Sequence, residues 1–276
     1  MLVVIMLAVG FILSSLMTPR LARMLSEAGF LRPNYRQEDI PLGVGMVFAL
    51  TLLVVSPVVI WWDSTLAPSV YVSLFGMFSL TFLGLVDDTL GSRAASGLKG
   101  HLMRLVKHGE LTTGALKALM GGMVALSVTA WQYAGSFSAV ALLQWLYQGL
   151  IIALSINSIN LLDLRPGRAG KGFLVGAVVL LVVGWSQKEL VPLAIVLGAL
   201  LAYLPRDLQA KSMMGDTGAN GLGVMLGITS VWVLPTVAQL VLLAGLVLFH
   251  LYTEKYSLTK TIEKNKVLNY LDMLGR

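Results

Sequence analysis

Nine apolar runs divide this chain, and the cations fall almost entirely into every second gap between them. The runs lie near 1–18, 43–62, 69–86, 116–134, 139–156, 173–186, 190–205, 219–234 and 236–253. Runs of about 18–20 apolar residues are the signature of transmembrane helices. Arg20, Arg23, Arg32 and Arg36 follow the first run, and Arg93, Lys99, Arg104, Lys107 and Lys117 follow the third. Arg165, Arg168 and Lys171 follow the fifth, and Arg206 and Lys211 the seventh. Lys255, Lys260, Lys264, Lys266 and Arg276 follow the ninth. The alternate gaps, around Asp63, Gly135, Gln187 and Pro235, hold Lys188 alone. Cytoplasmic loops carry the excess of Lys and Arg, so the expected topology has the N-terminus outside and the C-terminus in the cytoplasm.

Composition supports the same class. Hydrophobic residues make up 57% of the 276 and charged residues 12%, against about 25% charged in soluble domains. The expectation is an all-α polytopic membrane bundle of about nine transmembrane helices: one membrane domain over 1–254 and an amphipathic tail over 255–276. In the tail, Leu258, Ile262, Leu268, Leu271 and Leu274 recur at near-helical spacing among Lys264, Lys266 and Asp272, which reads as a helix lying in the inner-leaflet interface. The first run lacks a basic leader and a small-residue cleavage pattern, so it reads as a retained helix. The net charge of +6 is explained by cations flanking apolar spans, which excludes a nucleic-acid partner. With no cysteine, disulfides and thiol chemistry are excluded as well.

Fourteen acids are few enough to read singly. Glu27, Glu38, Asp39, Glu110, Glu254 and Glu263 sit among cations, and Asp63 and Glu189 face the other side. Apart from Asp272 in the tail, that leaves Asp87, Asp88, Asp163, Asp207 and Asp216. Asp87 and Asp88 close the third span in Gly84-Leu-Val-Asp-Asp-Thr-Leu-Gly91. Neighbouring helical residues point about 100° apart, so the pair need not hold one ion together. At the negative end of a helix dipole it invites a cation or a raised pKa, and a salt bridge to Arg93 or Lys99 is the plainer alternative. Asn157, Asn160 and Asp163 recur every three residues, which places two amides and a carboxylate near one helix face; helix termination is the alternative. Asp216 lies in the Gly-rich Met214-Gly-Asp-Thr-Gly-Ala-Asn-Gly-Leu-Gly223, just before the eighth span. Free N–H groups at that helix start can face a phosphate, and Asp216 can ligate Mg²⁺, which takes one or two carboxylates plus phosphate oxygens; a tight turn capped by Asp is the alternative. Acids for a divalent ion and bases for anionic oxygens, together at a bilayer surface, suggest phosphoryl transfer involving a lipid phosphate.

In this order and at these span ends, the motifs resemble the polyprenyl-phosphate N-acetylhexosamine-1-phosphate transferases, glycosyltransferase family 4. That superfamily includes phospho-N-acetylmuramoyl-pentapeptide transferase and undecaprenyl-phosphate GlcNAc-1-phosphate transferase. Pro41-Leu-Gly-Val-Gly45 looks like the family's first-loop Pro and paired glycines, and Asp87-Asp88 like its aspartate pair. Thr113-Gly-Ala-Leu-Lys117 is similar to the segment whose lysine faces the pyrophosphate. Asn157 to Asp163 looks like the Asn-x-x-Asn-Leu-x-Asp motif, and Gly215-Asp-Thr-Gly218 like the Gly-Asp-x-Gly motif whose Asp binds Mg²⁺.

The resemblance implies transfer of a phospho-sugar from a UDP-amino sugar to polyprenyl phosphate, releasing UMP, with Mg²⁺ held by Asp216 and Asp88. Asp87, Asp88 and Lys117 are the implied catalytic residues. Asn157, Asn160 and Asp163 would bind substrate, as would Arg165, Arg168 and Lys171 through an extra phosphate or sugar contact, although ordinary loop charge also accounts for the three cations. A homodimer is left open. The family's loop continues Asp-Gly-x-Asp-Gly-Leu, whereas Asp163 here precedes the basic Leu164-Arg-Pro-Gly-Arg-Ala-Gly-Lys171. None of His101, His108 and His250 matches the His-rich loop of the peptidoglycan member. A homologue that binds lipid phosphate without turnover is therefore the alternative. A secondary transporter fits less well, because the acids lie at span ends and not at the bilayer midplane.

Overall fold

The computed structural model describes residues 1–91, 107, 109 and 112–276. Arg93, Lys99, Arg104, His101, His108 and Glu110 lie outside the described residues. Among the described residues, nine helices cover the nine expected apolar runs: α1 (Leu2–Glu27), α2 (Met46–Trp62), α3 (Ala67–Leu90), α4 (Thr113–Ala130), α5 (Ala139–Leu162), α6 (Arg168–Val183), α7 (Leu190–Leu208), α8 (Gly215–Val233) and α9 (Thr236–Lys255). Two short helices, α10 (Leu258–Lys264) and α11 (Lys266–Met273), follow. Six helices are long and apolar enough, by length and composition, to cross a membrane: α1, α3, α4, α5, α7 and α9. This is a multi-pass membrane protein. Helices α2 and α6 have 17 and 16 residues. At 1.5 Å per residue α6 spans about 24 Å, short of a hydrocarbon core of about 30 Å.

Local chemistry sets several starts. Thr112 accepts from Ala115 N and Ser138 from Ala141 N, each at 3.1 Å, capping α4 and α5. Such side chains satisfy N–H groups that the first helical turn leaves unpaired. The tail departs from the single helix read from its spacing. Asn265 ends α10 and caps α11, accepting from Val267 N at 3.0 Å and Leu268 N at 3.1 Å.

One element was not expected. Leu31–Pro33 (β1) and Asp39–Pro41 (β2) pair antiparallel as a small hairpin after α1. It is laced to the segment ahead of α8: Met213 N donates to Pro41 O (2.9 Å), Val44 N to Met213 O (3.1 Å) and Asn34 Nδ2 to Ala210 O (3.2 Å). The Pro41–Gly45 motif thus braces the segment that leads into Asp216.

Helix α8 is the hub. It packs against α2, α3, α5, α6 and α7, and α7 packs in turn on α1 and α2. Nearly all of α8 is buried, as is the greater part of α7. Helix α9 is the opposite case: it leans mainly on α5, and Gln239 is its one buried residue. Val237, Leu240, Val241, Leu248 and Leu251 point outward, as expected of a helix whose other face meets lipid. Its tie to the bundle is polar. Tyr133 donates to Gln148 (2.9 Å), Gln148 to Gln239 (3.1 Å), and Gln239 to the carbonyls of Val231 and Leu234 (both 2.8 Å). Amide contacts of this kind hold helices together where the surrounding lipid offers no hydrophobic drive. Lys188, the lone cation of its loops, pairs with Asp63 at 2.6 Å. That hydrogen bond, with a second from Thr65, lowers the Asp63 carboxyl to about 2.

Candidate active site

Four helix ends meet at one end of the bundle, and each supplies a polar group. Asp87 comes from the last turn of α3, Lys117 from the first turns of α4, Asn160 from the last turn of α5 and Asp216 from the first turn of α8. The Lys117 ammonium lies between two carboxylates: Nζ donates to Asp87 Oδ2 at 3.0 Å and to Asp216 Oδ2. The Asn160 amide completes the set. In the amide orientation that its neighbours require, its nitrogen donates to Asp216 Oδ1 (2.8 Å) and its oxygen accepts from Lys117 Nζ (3.1 Å). The lysine and both acids are mostly buried, with side chains 19%, 18% and 25% exposed. Charges this deep persist only when paired and hydrogen-bonded.

The adjacent aspartates do different work, as their angular separation on a helix requires. Asp88 turns away from Lys117 toward the start of α8. Its Oδ1 accepts from Asp216 N (3.1 Å), and its Oδ2 from Thr217 N (3.0 Å) and Thr217 Oγ1 (2.6 Å). Its backbone carbonyl accepts from Arg32 Nη2 at 3.1 Å. The α8 N–H groups that the sequence offered to a phosphate are therefore used, at Asp216 and Thr217, by a carboxylate from α3. A negative group at a helix N-terminus also complements the helix dipole. Gly84 makes this approach possible, because a Cβ there would overlap the Asp216 carbonyl. Gly215 turns at φ +68° directly against Asp88, in a region that glycine enters without steric cost.

Asp163 closes α5 beside this cluster. Burial pushes its carboxyl well above the ordinary 3.8, and the charges of Asp207, Asp216 and Asp88 push it further. Asn157 lies one turn before Asn160 on α5 and makes no side-chain hydrogen bond among the described residues. Arg165 likewise has no side-chain partner among the described residues.

Arg168 and Lys171 do not join the acid cluster. Arg168 is buried and engages Asp272, and Lys171 Nζ donates to the carbonyls of Leu271 (2.9 Å) and Asp272 (2.7 Å). The basic loop that departs from the family pattern thus faces the chain's own tail.

Sequence reasoning passed over four contributors. Thr217 stands inside a recognised motif, but only the fold shows that Asp88 is its partner. From the sequence Arg32 has no reading beyond loop charge and Asp207 is set apart without a role, yet Asp207 Oδ2 accepts from Gly167 N at 2.9 Å. Asp272 reads from the sequence only as a charge within the amphipathic tail.

For a divalent cation the donor set is chemically suitable. Asp87, Asp216 and Asn160 offer oxygen atoms around a point that already holds positive charge. Among the described residues, no three His, Cys, Asp or Glu side chains gather as a metal cage.

Comparison with known proteins gives the family. A search of curated proteins returns no match. The sequence profile described as Glycosyl transferase family 4 matches residues 70–234, more than half of the chain, a stretch that holds Asp87, Asp88, Lys117, Asn160, Asp163 and Asp216. With that match over more than half of its length, and with the polar groups of four helix ends inside the matched stretch, the chain belongs to glycosyl transferase family 4.

Proposed function

We propose that the protein transfers a phospho-N-acetylhexosamine from a UDP-linked donor to polyprenyl phosphate, with undecaprenyl phosphate as the acceptor. One phosphate oxygen of the lipid attacks the sugar-linked phosphorus of the donor. The bond from that phosphorus to the bridging oxygen breaks, and UMP leaves. The observation that carries this reading is the bridge of Lys117 between Asp87 and Asp216, acids 129 positions apart in sequence, at the end of a membrane bundle. In a family of transferases such a cluster suits charge that moves between two phosphates.

In this reading Lys117 stabilises negative charge on the donor pyrophosphate. Asp87 orients the acceptor phosphate, because both oxygens of Asp88 are already engaged with α8. Asp88 acts by holding Asp216 in place. Asp216, Asp87 and the Asn160 amide oxygen would hold Mg²⁺, which when bound neutralises pyrophosphate charge. Asn157 and Asp163 position the nucleotide. The cation-rich end of the bundle faces the cytoplasm of a plasma membrane, where nucleotide sugars are made. The product is a lipid-linked sugar for envelope glycans.

The test is direct. Purified protein with Mg²⁺, undecaprenyl phosphate and labelled UDP-GlcNAc, then UDP-MurNAc-type donors, is expected to give a labelled lipid and UMP. Asp216→Asn is expected to lower turnover by at least about 10²–10³-fold, the scale seen when one preorganised charge contact is removed. Lipid-phosphate binding without turnover of any donor would replace this reading with binding alone.

A further inference from the structure

The basic loop after Asp163 is held from an unexpected direction. Arg168 forks onto Asp272: Nε donates to Oδ1 at 2.8 Å and Nη2 to Oδ2 at 2.9 Å. Its Nη1 donates to Thr259 Oγ1 at 3.1 Å. Arg168 and Asp272 are only 5% and 8% exposed. A planar guanidinium meeting a carboxylate through two parallel bonds is directional as well as strong. Arg276 adds a second fastening, with Nη2 on Asp272 Oδ1 (2.9 Å) and Nε on the Pro166 carbonyl (2.8 Å). With the two Lys171 bonds to Leu271 and Asp272, the tail holds residues 166–171 at Pro166, Arg168 and Lys171.

Those residues directly follow Asp163. Apart from the tail, residues 164–167 gain one long-range hydrogen bond among the described residues, from Gly167 N to Asp207 Oδ2. Asp163 has no side-chain hydrogen bond of its own among the described residues. Its backbone N donates to Asn160 O at 3.1 Å, so α5 holds it from one side and the loop that it begins holds it from the other.

We propose that Asp272 is a positioning residue of the candidate active site: acting through Arg168, it clamps loop 164–168 and with it fixes Asp163. The role of Asp163 toward the nucleotide rests on the function proposed above, whereas the clamp itself does not. Asp272 touches no substrate; it sets where the loop lies.

Hydrogen–deuterium exchange on the full-length protein, alongside donor kinetics, tests the clamp. Asp272→Ala is expected to speed exchange in 258–276 and also in 164–171, by on the order of tenfold or more. It is also expected to raise KM for the UDP-sugar more than it lowers kcat, the pattern of a lost ground-state positioning contact. Should Asp272→Ala fold poorly, Asp272→Asn keeps the shape and one acceptor and is expected to give the same shifts at smaller size. Faster exchange in the tail with wild-type exchange in 164–171 overturns the proposal, in either variant. If no donor is turned over even by wild type, the function reading fails, and the exchange of 164–171 alone decides the clamp.

Discussion

Asp163 and Asp216 are both site carboxylates read from the sequence, yet their surroundings differ. Asp216 meets the Lys117 ammonium and the Asn160 amide, while Asp163 meets burial and three other acids. A carboxyl held above 3.8 in the folded state keeps its proton more tightly there than in the unfolded chain. Stability is then lost as pH rises from 3.8 through the folded value, and the loss is complete above it. Asp163→Asn removes that titration. Without added divalent cation, its thermal midpoint is expected to match wild type near pH 4 and to exceed it at pH 8, by about 2–4 °C for each kcal/mol involved. A difference independent of pH would refute this. The acids were legible because charge is rare in so apolar a chain: Asp87, Asp88, Asp163 and Asp216 stood out as islands. Their pairings were not legible. Thr217 with Asp88 and Arg168 with Asp272 join residues 129 and 104 positions apart, and no local pattern encodes such distances.

At the scale of elements, hydropathy located the helices and misjudged their ends. Helix α1 continues to Glu27, nine residues past the expected limit at 18, because Leu21, Ala22 and Leu25 still bury a face after the apolar run has stopped. The β1–β2 hairpin is three residues a side and carries Pro33 and Pro41, so neither length nor composition announced it. The Gly-rich turn expected around Asp216 is instead the first turn of α8, whose glycines serve contact with neighbouring helices. This leads to a paired test. Gly84→Ala places a methyl against the Asp216 backbone and is expected to destabilise by about 1–3 kcal/mol, the usual cost of overpacking, with loss of transfer. Gly122→Ala on α4, where a Cβ meets nothing within 4 Å, is expected to stay within about 0.5 kcal/mol of wild type. Thermal unfolding in detergent measures both, and equal effects would refute the close-contact argument.

For the whole molecule, the alternation of cations predicts that functional groups gather at one end of the bundle. The ends of α3, α4, α5 and α8 that carry the acids and Lys117 do converge, and Arg168 of α6 and Asp207 of α7 lie at that same end. Which helices touch was not foretold, because α7, mostly buried, and α9, mostly exposed, are both apolar enough to cross a membrane. Orientation in the membrane can be measured directly, since the chain has no cysteine. Ser136→Cys is expected to react with a membrane-impermeant maleimide in intact cells, and Ser257→Cys only after permeabilisation; the reverse pattern would invert the topology. The contact at Gly84 has a wider consequence. Backbone lies on backbone beneath the acids, with no side chain between to yield, so the reaction centre is cast in one piece with the scaffold. In the transfer proposed above, a donor of new shape is then not accommodated by shifting those acids, and selectivity changes through the surrounding loops.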